Sequence, residues 1–473
     1  MTSPRPVRPR GPRPGRPRPR GGRPGGPGHR SQSDQALLLP RLFDLWAEYV
    51  GQPTPPPLDR WLARTLGDLD GLPREKRLWL GAALADGVRF AWLALLCAES
   101  SGKSPLGVVQ HARRGLGDLG DAWRRLGRLE PRDLFFWVFL RLREAGANPP
   151  RLQEPIAGAV GDWHRIREDL ARDGGTAARL LWVGLPDALA PEVDARAERC
   201  GWSDTERHLF IDRQILRPPL WLRLQDSGVL DDVLAELHHA GFRTEVLDDA
   251  IAATGDRGIF ELECWRRGHV EIQDLASQAI GVMVAPEPGH FVWDACAGGG
   301  GKALQLAALM GGTGAVYATD PNAHALAELR KRAKRAGLTS VRAYPWDGQA
   351  LPDFGKSVAR RGGFDRVLVD APCSGCGTWR RNPDGRLRAR PDGLTGLTTV
   401  QSHLLDVTSA AVKPGGLLVY ATCSWFVAED EEQVDAFAAR HPEFQVLGQA
   451  LHGNPGDDAD TTFTAVMRRR AEG

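Results

Sequence analysis

Two short stretches hold the residues best suited to chemistry. Asp370-Ala371-Pro372-Cys373-Ser374-Gly375-Cys376-Gly377 and Thr422-Cys423-Ser424 each follow a β-rich run and place a thiol just beyond it. A thiolate is a strong nucleophile, but a free thiol titrates near ~8.5, so such a site must supply a base or depress that value. Cys373 and Cys376 also have the spacing of a redox or zinc pair. No second CxxC or paired His lies nearby to complete four ligands, so no metal is expected. A third stretch, Cys296-Ala297-Gly298-Gly299-Gly300-Gly301-Lys302, allows a tight turn and close approach of a ligand to backbone before a helix N-terminus. It is not a P-loop, because Ala303 stands at the magnesium-binding hydroxyl position and Cys296 at the first glycine.

These stretches need a scaffold that brings strand ends together. The runs FVWDA (291–295), AVYAT (315–319), VRAYPW (341–346), FDRVLV (364–369) and LLVYAT (417–422) are β-rich, with helix candidates near 302–310, 322–336, 353–361 and 397–412. This alternation predicts an α/β fold with a Rossmann-like, doubly wound parallel sheet over 284–473, in which ligands bind beyond the carboxyl ends of the strands. Four of those strands run into Asp294, Asp320, Asp347 and Asp370. Asp320 lies 22 residues beyond Gly298, close to the ~20 at which nucleotide-binding folds hold ribose hydroxyls. A nicotinamide cofactor and S-adenosylmethionine both satisfy the glycine and acid pair. An acidic rim suits a cationic sulfonium better than a pyrophosphate, and nicotinamide chemistry gives no reason for thiols at two strand ends.

The rest of the chain divides by pattern. Residues 205–283 read as a small α+β module, with a strand at Pro218 to Gln225, a helix from Val229 to Ala240 and strand-like runs near Phe260 to Leu262 and His269 to Ile272. Residues 151–204 read as a connector. Residues 33–150 carry apolar stripes at helical spacing and predict an all-α domain. Residues 1–32 are almost entirely Pro, Arg and Gly and read as a disordered tail, either a tether for RNA phosphates or a plain solvated extension.

With 473 residues, 42% hydrophobic and 25% charged, the chain reads as a multidomain globular protein, not a fibrous one. No run approaches the ~18 residues of a membrane span, so no membrane partner is expected. The net charge of +2 conceals nine Arg in the tail, without which the remainder carries −7. Any nucleic-acid contact must therefore use local patches. Seven scattered Cys argue against a disulfide scaffold and for a cytoplasmic location, and a monomer is expected.

The ordered motifs DACAGGGGK, ATD, DAPCSGCGTWRRNPD and TCSWFVAEDEEQV, flanked by RPPLWLRLQ (217–225), VEIQDLASQ (270–278) and TFTAVMRRR (462–470), resemble the Nol/Nop/Sun family of RNA cytosine-5 methyltransferases over residues 205–473. The helical region resembles, more faintly, the NusB-like domain that opens that family's RsmB branch. This resemblance implies S-adenosylmethionine as cofactor and RNA as partner, with the RsmB branch pointing to 16S ribosomal RNA. It implies Cys423 as nucleophile toward cytosine carbon 6, Cys373 in release of the product, and Asp370 at the cytosine edge. Asp320 would hold the cofactor's ribose, Asp347 its adenine, and Cys296, Ala297, Gly298, Gly299, Gly300, Gly301 and Lys302 its amino-acid end, with Asp370 also lining that site. Arg380 and Arg381 would meet RNA, with Arg386, Arg388 and Arg390 as further phosphate contacts. The charges of Arg330, Lys331, Arg332, Lys334 and Arg335 read first as a solvated helix face. The alternatives are a transfer-RNA methyltransferase of the same family, or an RNA-binding assembly factor with little turnover. The chain departs from the family's CAAPGGKT loop at Gly298, Gly299 and Ala303, and has Gln225 and Asp430 where Asn is usual.

Overall fold

The apolar strand runs assemble in a computed structural model that describes residues 32–53, 56–67, 69, 71–101, 119–255, 258–388 and 394–471. The tail read over 1–32 lies outside these residues except for Gln32, as does Arg390. Among the described residues, seven strands form one sheet. Strands β5 (Phe291–Asp294), β6 (Ala315–Asp320), β7 (Val341–Pro345), β8 (Phe364–Asp370) and β9 (Val412–Thr422) are mutually parallel where they pair. The apolar residues of β5, β6, β8 and the second half of β9 are buried on both faces, whereas β7, at the sheet edge, is largely exposed. Trp293, Tyr317, Val367, Val369, Leu418 and Tyr420 enter one core, while Val292, Val316, Ala318, Leu368, Val419 and Ala421 enter the core on the opposite face.

The sheet is not wholly parallel. Beyond the five expected strands, β10 (Phe444–His452) and β11 (Thr462–Arg469) add an antiparallel hairpin, and β11 pairs with β9. Winding runs from β5 through β6 to β7 in one direction and through β8 to β9 in the other. The reversal lies between β5 and β8, where an open α/β sheet leaves a crevice.

The small module is a four-stranded antiparallel sheet ordered β2-β3-β1-β4, from β1 (Leu220–Leu224), β2 (Arg243–Leu247), β3 (Ala250–Thr254) and β4 (Val270–Ile272), with the helix Leu230–His239 beside it. The run near Phe260 is a 3₁₀ turn, Ile259–Glu261, not a strand; Ile259 and Leu262, three apart, both turn into the module's core.

The N-terminal region is helical as expected, with Leu42, Trp46, Leu84, Trp92, Phe135 and Trp137 in one core. The stretch 151–204, read as a connector, is helical too: Ala159–Asp173, Thr176–Trp182 and Ala190–Cys200, followed by Asp204–Asp212. Ala159, Trp163, Ile166 and Leu170 extend the N-terminal core. Leu180, Leu189, Val193 and Phe210 pack instead against Cys376, Trp379, Trp425 and Phe426, the shells of the two thiol loops. The supposed connector is therefore a packed joint behind the site.

Candidate active site

The ends of β5, β6 and β8 bring the glycine loop and three acids together. Gly300 caps the helix Gly301–Leu309 at φ 87°, and a Cβ there would lie 2.5 Å from the Leu329 side chain, so only glycine fits. Asp320 Oδ2 accepts the Gly298 N–H at 2.9 Å and its Oδ1 accepts the Asn322 N–H at 2.8 Å, which fixes the loop to the end of β6. A second clamp comes from outside the motif. Arg332 donates from Nη1 to the Gly299 carbonyl at 2.7 Å and from Nη2 to Glu271 Oε2 at 2.8 Å, and Glu271 is fully buried. The small module thus braces the glycine loop through one guanidinium.

Lys302 turns to the end of β8, where its Nζ donates to Asp370 Oδ2 at 2.7 Å. Burial alone would lower the ammonium's pKa, but the charge of Asp370 and the hydrogen bond to it outweigh burial and leave it raised. Asp294 is buried beside this pair with neither carboxyl oxygen hydrogen-bonded. Burial first, then the charge of Asp370, pushes it up to about 7. Because the folded value exceeds the ordinary 3.8, its stabilisation is full below that value and is lost as pH rises through about 7. Asp294→Asn is expected to remove about 2–3 kcal/mol of the fall in unfolding free energy between pH 5 and pH 8, measured by urea titration. Asp347 is exposed and closes a turn by accepting the Gln349 N–H at 3.0 Å.

The two thiols expected to act lie at the ends of the paired strands β8 and β9, with sulfurs 3.3 Å apart and both half-buried. The hydrogen bond to Cys423, then burial, raises the Cys373 pKa well above its ordinary value. Cys376 faces away. Its sulfur accepts the Trp425 N–H at 3.2 Å, and burial raises its pKa as well. Among the described residues no group of His, Cys, Asp and Glu is arranged to hold a metal. Burial raises the Cys296 pKa well above the ordinary range, with the charge of Asp294 adding to it. The loops interlock through backbone: Gly377 N–H donates to the Cys423 carbonyl at 3.0 Å and Thr461 N–H to the Gly377 carbonyl at 3.0 Å.

The arginines read as RNA contacts are placed differently. Arg380 is 4% exposed, and its guanidinium donates to the carbonyls of Leu216 and Ala459 at 2.7 and 2.9 Å and to Asp458 at 3.1 Å. Arg381 pairs with Asp274 and Asp460 at 2.5 and 3.1 Å. Arg386 is fully buried on the carbonyls of Val183 and Gln214. These three tie the Cys373 loop to the helical joint and the small module, and a phosphate would have to displace bonds already made. Arg388 is helical, and its side chain lies outside the described residues. On the helix Ala323–Arg335, Lys331 and Lys334 are exposed while Arg332 and Arg335 turn to Glu271.

Two charged groups near the thiols carry no periodic or spacing signal of their own. Glu429 is fully buried and accepts hydrogen bonds from Ser374, Ser424 and Gln401. Arg196, on the helix Ala190–Cys200, is fully buried and donates to the Trp425 carbonyl at 2.8 Å, to Asp430 at 2.8 Å and to Glu431 at 2.6 Å. Glu429 lies inside a quoted motif, whereas Arg196 lies in the supposed connector.

Residues 281–469 match the family model for 16S rRNA methyltransferase RsmB/F. The chain is 33% identical over 290 residues to ribosomal RNA small subunit methyltransferase B of Xylella fastidiosa, covering 59% of this chain and 64% of that protein. It is 36% identical over 241 residues to the probable ribosomal RNA small subunit methyltransferase B of Bacillus subtilis, covering 50% and 52%. The alignments thus span between half and two thirds of these relatives. In fold, it is similar to the crystal structure of PH0851, with a TM-score of 0.65 at 21% identity over 93% of this chain and 99% of that one. The thiol loops and the glycine loop lie inside the matched residues, so the similarity to RsmB/F methyltransferases covers the part of the chain that carries the site.

Proposed function

We propose that the chain is an S-adenosylmethionine-dependent RNA cytosine-5 methyltransferase acting on small-subunit ribosomal RNA. The observation that carries this reading is the pair of sulfurs 3.3 Å apart at the ends of β8 and β9, one strand from the braced glycine loop. The relatives' names supply the ribosomal substrate.

The residues present fit the cofactor. Asp320 would meet the ribose, Gly298 leaves open space where a Cβ would stand, and Asp320 and Asp370, ending strands on the same rim, would offset a sulfonium's charge. When bound, S-adenosylmethionine supplies an electrophilic methyl group. Arg332→Ala frees Gly299 and is expected to raise the dissociation constant for S-adenosylmethionine about tenfold, about 1.4 kcal/mol, by calorimetry.

Carbon 5 of cytosine is a poor nucleophile until carbon 6 carries an added group. The Cys423 thiolate's electron pair would form the S–C6 bond, and the C5=C6 π pair would become available at carbon 5. Asp370 would accept a hydrogen bond from the exocyclic amine as charge shifts in the ring. After transfer, the carbon 5 proton leaves to solvent, C5=C6 re-forms and the S–C6 bond breaks. Cys373, holding its proton beside that sulfur, donates to it as it leaves. The base must be unstacked to reach both groups, which favours a loop or locally opened RNA.

Bisulfite sequencing of total RNA with and without the gene tests substrate and position together. One cytidine of 16S RNA is expected to lose protection when the gene is absent. Loss in a transfer RNA would move the substrate, and no loss anywhere would end the reading.

A further inference from the structure

One buried carboxylate touches both thiol loops. Glu429 Oε1 accepts the Ser374 N–H at 2.8 Å and Gln401 Nε2 at 3.1 Å, while Oε2 accepts the hydroxyls of Ser374 and Ser424 at 2.5 and 2.6 Å. Those serines directly follow Cys373 and Cys423. The Glu429 backbone is held as well, because Tyr420 O–H in β9 donates to its carbonyl at 2.6 Å. Gln401 also donates to the Pro372 carbonyl at 3.0 Å, so the helix Leu394–Ser409 braces the same loop. A carboxylate with four donors directed at it, and none of its own, is in its acceptor-only, ionised form. Burying such a charge is costly unless every lone pair is used, as here.

Glu429 is not held equally by the two loops: it accepts two bonds from Ser374, beside Cys373, and one from Ser424, and its charge adds to what raises the Cys373 and Cys376 thiols. We propose that Glu429 is a positioning residue: it fixes the separation of Cys373 and Cys423, and its negative charge makes Cys373 the partner that keeps its proton. This assignment rests on the reading of Cys423 as nucleophile, but its chemistry is measurable without RNA or cofactor.

Glu429→Gln separates charge from geometry. The serine hydroxyls turn to accept from the carboxamide while its oxygen still accepts the Ser374 N–H, so the bonds persist and the charge does not. Two reagents read the full-length protein at pH 8. Iodoacetamide forms an S–C bond with loss of iodide and of the thiol proton to buffer. Diamide forms the Cys373–Cys423 disulfide, its N=N bond taking up the two hydrogens. Glu429→Gln is expected to raise Cys373 alkylation about tenfold, with the final disulfide yield unchanged. Glu429→Ala is expected to lower that yield about threefold or more, by loosening both loops. If Glu429→Ala does not fold, Ser374→Ala with Ser424→Ala removes the hydroxyl bonds and is read the same way. Unchanged Cys373 alkylation in Glu429→Gln, or an unchanged disulfide yield in the loosened variant, overturns the proposal. A parallel trap with 5-fluorocytidine RNA on the wild-type protein reads the catalytic assignment separately.

Discussion

Cys423→Ala is expected to bind RNA as the wild-type protein does and to lose methyl transfer by about four orders of magnitude or more, measured with labelled cofactor on a 16S transcript. The size of the effect follows from the chemistry, since without a group on carbon 6 no neighbouring residue restores electron density at carbon 5. Cys373→Ala should behave differently. The S–C6 bond still forms, but the leaving sulfur has lost the thiol 3.3 Å away, so a protein–RNA species is expected to accumulate on a denaturing gel. An active Cys423→Ala protein, or an adduct in that variant and not in Cys373→Ala, would reverse the two roles.

Arg196→Ala carries the largest expected cost in stability. Burial alone would lower the guanidinium's pKa, but the hydrogen bond to Glu431 and the charges of Asp430 and Glu431 outweigh it and leave that pKa raised. Removing one member of a fully buried ionic group strands the others, at about 3–5 kcal/mol. In a chain of this size that corresponds to a fall in Tm of about 3–5 °C by calorimetry. Arg196→Met combined with Asp430→Asn and Glu431→Gln removes the stranded charges and should recover most of the loss. If the triple variant melts as low as Arg196→Ala, lost packing and not charge is the cause.

The parts of the molecule legible in the sequence are those whose burial leaves an unbroken pattern. FDRVLV and LLVYAT read as strands because both faces of β8 and β9 are covered. The rim acids and thiols were visible because each directly follows such a run. The helix Ala159–Asp173 was not, because only Ala159, Trp163, Ile166 and Leu170 of its 15 residues are buried, a stripe too narrow to stand out among charges. Strand β3 hides behind Ala250, Ala252 and Ala253, residues that favour helix in isolation. Arg380 and Arg381 show the opposite failure. Their charge was plain, but their partners Asp274, Asp458 and Asp460 lie far along the chain, and composition does not reveal pairing across such distances.

The place of β11 in the sheet has a consequence for biosynthesis. It lies between β9 and β10, yet is translated after both. While the nascent polypeptide emerges, β10 has no neighbour to pair with and β9 presents an open flank. The sheet closes only when a later segment threads between them, and that same segment brings Thr461 to the carbonyl of Gly377, whose N–H in turn meets the Cys423 carbonyl. Until then the unpaired flank is a template for contact with other chains.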